Sequence, residues 1–378
     1  MILTNEQEMI RDAARNFARH EIAPHVQAWE RDHVVPTQVL GHLGKLGLMG
    51  ICVDEQWNGA GADFVSYILA TEELAAADCG VCNMMNVHNS PVCSALQAYG
   101  TDEQKERLLR PLARGELFGA LLLTEPDAGS DAAAIKTRAV KQGDRYVLNG
   151  TKQFVTSGQS AHVAMILAVT DPSLGSKGIT CFMTRTDNPG YKVSRVEEKL
   201  GHRNCDTCQI VLEDMEVPET DVLGKAGEGY KIILSFLTAG RIAVAAQAVG
   251  VARAALERSV EYAGERKTFG KSLAEHQAIA FRLAEMATEV KVARNTLLQV
   301  AHDKDTGRID PTDASIIKLY ATEMAERVCS AAIQIHGGYG YLSEYPVEKY
   351  YRDARVLQIY EGSSEVQKIL ISRALTKA

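Results

Sequence analysis

No uninterrupted apolar run in this chain is long enough to span a bilayer, so an integral membrane protein is not expected. Nor is there an excess of positive charge. The 41 Lys and Arg face 48 Asp and Glu, and the net charge of −7 argues against nucleic acid or an anionic membrane as the main partner. The opening residues show neither a signal peptide nor an Arg-rich presequence, and a cytoplasmic location is the expectation. Internal repeats and low-complexity stretches are missing too. With 46% apolar and 24% charged residues, a disordered or fibrous chain is excluded. What the chain does have is length: 378 residues suffice for two or three domains and a large core.

Metal-ligand spacing is also lacking. The eight cysteines include two Cys-x-x-Cys pairs, Cys79/Cys82 and Cys205/Cys208, separated by more than a hundred residues. A zinc ribbon places its pairs within about 15–20 residues. Cys79 and Cys82 fall in a helical, Ala- and Met-rich context, so buried reduced thiols and no metal are expected.

Hydrophobic periodicity divides the chain in three. Thr4 and Gln7 form a capping box before Met9, Ile10, Ala13, Ala14 and Phe17, which share one helical face. Further helices are predicted after Pro36, over Phe64–Ala77 and Val92–Tyr99, and over Leu108–Ala113 behind a Thr101/Gln104 cap. Then the pattern changes. Leu117–Thr124 reads as a buried strand, and Asn149-Gly150 within Tyr146–Thr156 reads as a hairpin turn. Val163–Val169, Ile179–Thr184 and Gln209–Val217 add strands. From Gly229 the helical period returns, with Ile279, Leu283, Met286, Val290, Ala293 and Leu297 as the seam of an antiparallel bundle. The expected fold is a multi-domain α+β chain. A helical domain (1–116) precedes a small antiparallel β-barrel or sandwich (117–228), and a helical bundle (229–378) follows.

Four motifs carry candidate chemistry. Leu123-Thr124-Glu125-Pro126-Asp127-Ala128-Gly129-Ser130-Asp131 offers hydroxyls and freed backbone N–H groups to a polar ligand, though a plain loop explains it equally. Gly264 to Ser272 nearly spells a P-loop, but five residues separate its glycines where four are required, and it follows a helix. ATP is set aside there; Arg266 and Phe269 suit an anionic group and a ring instead. Gln334-Ile335-His336-Gly337-Gly338-Tyr339-Gly340-Tyr341 is first a helix stop, and second a place where backbone can approach a ligand. Without GxGxxG or a preceding βαβ unit it is no Rossmann site. In Tyr360-Glu361-Gly362-Ser363-Ser364, an acid sits on the turn into a capped helix predicted from Ser364 to Ala374, with Val366, Ile369, Leu370 and Arg373 at helical spacing. Such a Glu is ordinarily a solvated charge favoured by the helix dipole. On a backbone-held turn it can equally reach a carbon-bound proton.

The order and spacing of these four motifs resemble the acyl-CoA dehydrogenase family over essentially the whole chain. The segment from Gln334 through Glu344 and Lys349 to Asp353 is similar to the family's second signature without a mismatch. The resemblance implies non-covalent FAD, an acyl-CoA substrate, an electron-transferring flavoprotein as partner and a homotetramer. It assigns Leu121, Leu123, Thr124, Ser130, Phe154 and Thr156 to the flavin. Arg266, Phe269, Gln277, Gln334, Gly337 and Gly338 would hold the FAD phosphates and adenosine, some from a neighbouring subunit, and Ser363 and Glu365 would also touch FAD. Ser130, Thr238, Arg241, Tyr360, Gly362 and Arg373 would contact the substrate. Glu361 matches the catalytic base, because the alternative position used by some members, just before Arg241, is Gly240.

The implied reaction is α,β-dehydrogenation of an acyl-CoA to the trans-2-enoyl-CoA. Glu361 takes the α-proton, a β-hydride passes to flavin N5, and an oxyanion hole includes the Glu361 backbone N–H. An oxidase or monooxygenase on the same fold, reoxidised by oxygen, is the alternative. Two residues depart from the family pattern. Leu122 stands where a small residue is usual, with a packing effect expected, and Thr238 stands where many members have an acid. Met85, Val87 and Phe236 lean the acyl group towards short or branched chains.

Overall fold

The computed structural model describes residues 2–376. The first third is helical: α1 (Asn5–Phe17), α2 (Val26–Asp32), α3 (Thr37–Lys45), α4 (Phe64–Ala77), α5 (Cys79–Val87), α6 (Ser94–Tyr99), α7 (Asp102–Gln104) and α8 (Arg110–Ala113). Both predicted capping boxes form, Thr4 with Gln7 and Thr101 with Gln104. Helix α4 is apolar on all sides and buried from Phe64 to Ala75, which marks it as a core helix. Its two buried acids are held by arginines from three other helices. Arg294 and Arg253 reach Glu72 at 2.8 and 3.1 Å, while Arg15 and Arg253 each reach Glu73 at 2.8 Å. Asp305 accepts hydrogen bonds from the Phe64 and Val65 N–H groups at 2.8 and 3.0 Å, capping α4 from far along the chain.

The middle strands are β1 (Gly119–Leu122), β2 (Arg138–Gln142), β3 (Arg145–Thr156), β4 (Val163–Val169), β5 (Ile179–Arg185), β6 (Tyr191–Val196) and β7 (Thr207–Pro218). They make one seven-stranded sheet in the order β1-β4-β2-β3-β7-β6, with β5 also on β4. Most pairs are antiparallel, but β1–β4 and β2–β4 run parallel, so the sheet is mixed rather than purely antiparallel. Strand β4 explains its own apolar run. Val163, Met165 and Leu167 enter one core while Ala164, Ile166 and Ala168 enter another, so both faces are covered. Leu122 joins the second of these cores beside Ile166, a packing role as expected.

The expected Asn149-Gly150 hairpin does not form. Strand β3 runs straight through it, with a register shift between Leu148 and Gly150, and the chain turns at Gly143 instead. Contacts outside the strand override the turn chemistry. A Cβ at Gly150 would lie 2.4 Å from Thr137 Oγ1, so glycine is there for a close approach. Asn149 spends its amide on Asp214 of β7, donating to the carboxylate at 3.1 Å and accepting the Asp214 N–H at 2.9 Å. Strands β2 and β6, mostly exposed and polar, left no apolar signal in the sequence.

The last part comprises α9 (Gly229–Glu265), a two-stranded hairpin β8 (Lys267–Thr268) and β9 (Lys271–Ser272), α10 (Gln277–Asp305), α11 (Pro311–His336), α12 (Val347–Leu357) and α13 (Ser364–Thr376). Helix α9 is, by length and composition, apolar enough to cross a membrane, although Lys231, Arg241 and Arg253 interrupt its apolar run. Here 61% of its most apolar window is buried in the protein. Met286, Val290, Ala293 and Leu297 of the predicted seam are buried, and Ile279 and Leu283 pack at its edge. On α13 the expected apolar face is not the one the chain buries: Ser364 and Gln367 are buried, whereas Ile369 and Arg373 are exposed.

Candidate active site

The turn after α12 is where the geometry becomes unusual. Glu361 (φ 54°) and Gly362 (φ 87°) are consecutive left-handed residues. A non-glycine residue in that region costs about 1–3 kcal/mol and persists only when its surroundings hold it. Four hydrogen bonds hold it here. The Ser364 N–H donates to the Gln358 carbonyl (3.0 Å), and the Gly362 carbonyl accepts from Lys318 Nζ (2.7 Å) and Gln367 Nε2 (2.9 Å). Upstream, the Tyr360 hydroxyl donates to Gln247 Oε1 at 2.7 Å. Ser363 caps α13, accepting from the Val366 N–H at 3.5 Å.

This turn aims the Glu361 carboxylate at α9. A Cβ on Gly240 would lie 2.7 Å from Glu361 Oε2, so only glycine leaves room for it. The neighbouring Arg241 has its Nε buried without a hydrogen-bond partner. Burial pushes the Glu361 carboxyl above the ordinary glutamate range, and the charges of Lys318 and Arg241 pull it part of the way back. Burial also lowers Arg241, opposed by Glu361. Tyr67 of α4 completes the surroundings, its hydroxyl donating to Asn86 Oδ1 at 2.9 Å. Lys318, Gln367 and Tyr67 were missed in the sequence. Each sits in an ordinary helical pattern, and only an aliphatic seam broken by a lysine at 318 hinted at anything.

On the sheet side, the Gln153 N–H donates to the Thr124 carbonyl at 2.8 Å, which brings Thr124 beside Phe154. Phe154 is 66% exposed and left-handed (φ 58°), a second strained candidate. Thr156 accepts from Asn83 Nδ2 of α5 at 3.4 Å. The loop after β1 is pinned from behind: the wholly buried Lys152 reaches the Leu123 carbonyl (3.1 Å) and Glu125 (2.8 Å), and Glu125 accepts the Lys136 and Thr137 N–H groups. Burial pushes Lys152 down to about 8, with Glu125 opposing. Leu121 and Leu123 are half-buried. Ser130 lies on an exposed stretch, and Thr238 is half-buried with no side-chain hydrogen bond among the described residues. Glu365 and Arg373 are exposed on α13.

A separate group gathers at the far end of α9. The Arg266 guanidinium stacks on Tyr339 at 5.5 Å, and the Leu273 N–H donates to the Arg266 carbonyl at 2.8 Å. Phe269 is left-handed (φ 49°) and 99% exposed at the tip of the β8–β9 hairpin. Gln277, Gln334, Gly337 and Gly338 are exposed nearby in sequence to these elements, and a Cβ on either glycine would meet nothing within 4 Å. At the α-helical rise, Arg266, just past the end of α9, lies about 39 Å from Gly240. The two groups are therefore well separated within one chain.

The Lys349 and Asp353 of the second signature belong to neither. Lys349 is buried against Asp353 and, at 2.8 Å, Asp78, while Asp353 accepts the His202 N–H at 2.8 Å. Burial works against the Lys349 charge, but Asp353, Asp78 and Glu30 hold its pKa well above the ordinary lysine value. Cys79, His202 and Asp353 bring ligand-type atoms within 4.8 Å of one another, yet the lysine already supplies the counter-charge. The thiols of Cys79, Cys82, Cys205 and Cys208 are free, and burial raises all four, as inert core cysteines require.

An exposed serine, two half-buried threonines, an exposed left-handed aromatic on the sheet and open backbone beside a stacked arginine fit a dinucleotide with a flat ring. A half-buried arginine with an unpartnered Nε, next to a carboxylate of raised pKa, fits an anionic thioester beside a base. Together they are features that a flavin-dependent oxidoreductase of acyl thioesters would need. Known proteins agree. Residues 4–116, 120–215 and 227–376 match, in turn, the N-terminal, middle and C-terminal domains of acyl-CoA dehydrogenase. The chain is 43% identical to an acyl-CoA dehydrogenase of Bacillus subtilis over 99% of both chains. It is 42% identical to the short-chain specific acyl-CoA dehydrogenase of Clostridium acetobutylicum, over 98% of both. It is also 40% identical, over the full length of both, to the caffeyl-CoA reductase-Etf complex subunit CarC of Acetobacterium woodii. The structure of butyryl-CoA dehydrogenase from Megasphaera elsdenii superposes with a TM-score of 0.97 at 40% identity, covering 100% of this chain and 99% of that one. This chain belongs to the acyl-CoA dehydrogenase family, and it is an FAD-dependent acyl-CoA dehydrogenase.

Proposed function

We propose that the enzyme converts a short-chain acyl-CoA to its trans-2-enoyl-CoA, with Glu361 removing the α-proton. The observation that carries this is the carboxylate itself: it lies against Gly240, is raised by burial, and rides on a left-handed turn pinned by Lys318 and Gln367. An α-proton beside a thioester is a weak acid, so a base of raised pKa is better matched to it than a solvated one. The backbone N–H of Glu361, unused by the turn among the described residues, is the protein's candidate donor to the thioester oxygen. Arg241 would meet the CoA part with its unpartnered Nε. Leu121, Leu123, Thr124, Phe154 and Thr156 would hold the flavin, which when bound supplies the hydride acceptor. Glu361→Gln is expected to keep FAD and ligand binding while losing roughly three or more orders of magnitude in kcat. A variant with ordinary turnover would overturn the assignment.

The reductase name of the 40% identical relative supports a second reading, in which the same site runs from enoyl-CoA to acyl-CoA. Glu361 would then return the α-proton, by microscopic reversibility. Steady-state rates decide between them: faster butyryl-CoA oxidation with an oxidised electron-transferring flavoprotein as acceptor supports dehydrogenation, and faster crotonyl-CoA reduction with the reduced flavoprotein as donor supports reduction. Reoxidation by oxygen as fast as by an artificial acceptor would favour the oxidase alternative. The relative's Etf complex supports an electron-transferring flavoprotein as partner. Buried Met85, and Phe236 stacked edge-on against Tyr99 at 6.2 Å, support a short acyl group. We further propose a cytoplasmic homotetramer; the distance along α9 between Gly240 and Arg266, too long for one FAD to use both ends within one chain, supports at least a second copy.

A further inference from the structure

We infer that Lys318 is a positioning residue for the base: it clamps the turn that carries Glu361 and places a buried positive charge at the neighbouring peptide carbonyl without pairing with the carboxylate. This rests on Glu361 being the base. Lys318 projects from α11, is wholly buried, and among the described residues its side chain makes one hydrogen bond, from Nζ to the Gly362 carbonyl at 2.7 Å. No carboxylate lies within ion-pair distance of it among the described residues. A buried ammonium held only by a carbonyl is costly, so its charge must be compensated from further off. The compensating charges are those of Glu361 on the turn and Glu365 on α13, opposed by Arg241 on α9.

The carbonyl in between gives the arrangement its character. Lys318 and Gln367 converge on one oxygen and hold two left-handed residues in register, so the carboxylate is aimed by its own backbone. Because Lys318 binds the backbone and not the carboxylate, both Glu361 oxygens stay free for the substrate proton. Its charge nevertheless acts on Glu361, as the larger of the two charges that oppose burial, Arg241 being the other. Tyr67 on α4 and Tyr360 face the same carboxylate as neutral hydroxyls, their ionisation pushed well up by burial. Burial brings Lys318 itself down to about 8, so the clamp is charged at neutral pH and weakens above it.

The test uses the FAD-loaded enzyme and three variants. Lys318→Met removes charge and donor, Lys318→Gln keeps a donor without charge, and Lys318→Arg keeps both. In the first two, the acid limb of kcat/KM against pH is expected to move up by about one unit, a roughly tenfold loss on that limb. The protonated-carboxyl infrared band of Glu361, assigned by its loss in Glu361→Gln, should titrate higher by the same amount. Lys318→Arg should restore the wild-type limb. If Lys318→Met does not fold, Lys318→Gln decides. Lower activity with an unmoved acid limb and infrared titration would mean a merely structural lysine and would overturn the inference. An active Glu361→Gln would instead overturn the base assignment, so the two failures are distinguishable.

Discussion

Gly240 shows how much of this site turns on one missing atom. A methyl group there would lie 2.7 Å from Glu361 Oε2, and it would come from the helix that also carries Arg241. Gly240→Ala should push the carboxylate off its line. A displacement of about 1 Å is expected to cost on the order of a hundredfold in kcat, with FAD content unchanged. Single-turnover flavin reduction checks this. The same scale explains which residues were readable. Glu361 and Phe269 were singled out from motifs and Phe154 from the family resemblance, and all three proved to be left-handed non-glycine residues. Lys318 was not readable, because a lysine in a helix gives no sign of being buried until its neighbours are placed.

Among the elements, α5, β1 and α8 meet at His88. Its Nδ1 accepts the Gly119 N–H at 3.2 Å and its Nε2 donates to the Leu112 carbonyl at 3.1 Å, which requires the neutral ring. Burial pushes it down to about 4. The unfolded histidine protonates near 6.5 while the folded one resists, so stability is full above that value and lost as pH falls towards 4. Thermal unfolding midpoints should fall across that window, and His88→Gln should flatten that part of the curve. Element boundaries followed sequence signals where those were local, as at α4 and β4. They failed at Asn149-Gly150, because Thr137 and Asp214, both distant in sequence, determine what those two residues do.

For the whole molecule, the buried Lys349 cluster joins all three parts of the chain: Glu30 and Asp78 from the first helices, His202 and Arg203 from the segment before β7, Asp353 and Arg352 from α12. Lys349→Met would leave several buried acids without their cation and is expected to cost about 3–5 kcal/mol. Denaturant unfolding of the FAD-loaded protein measures it. At the other end of α9, Arg266 and Phe269 wait on an exposed surface. Arg266→Ala should lower FAD retention on gel filtration while leaving the infrared titration of Glu361 unmoved. FAD retention should also fall with dilution if a second copy completes the site.

What the sequence determined by itself was the helix–sheet–helix order, the caps and the motif residues, because these depend on periodicity and on spacing within a few turns of chain. Only the tertiary structure decided the parallel pairings of β4, the unturned Asn149-Gly150, the lysine cluster across three domains, and the carbonyl through which Lys318 reaches the base. Each of those depends on residues brought together from far apart, where burial raises the energy of every unpaired charge and leaves few arrangements that satisfy all of them.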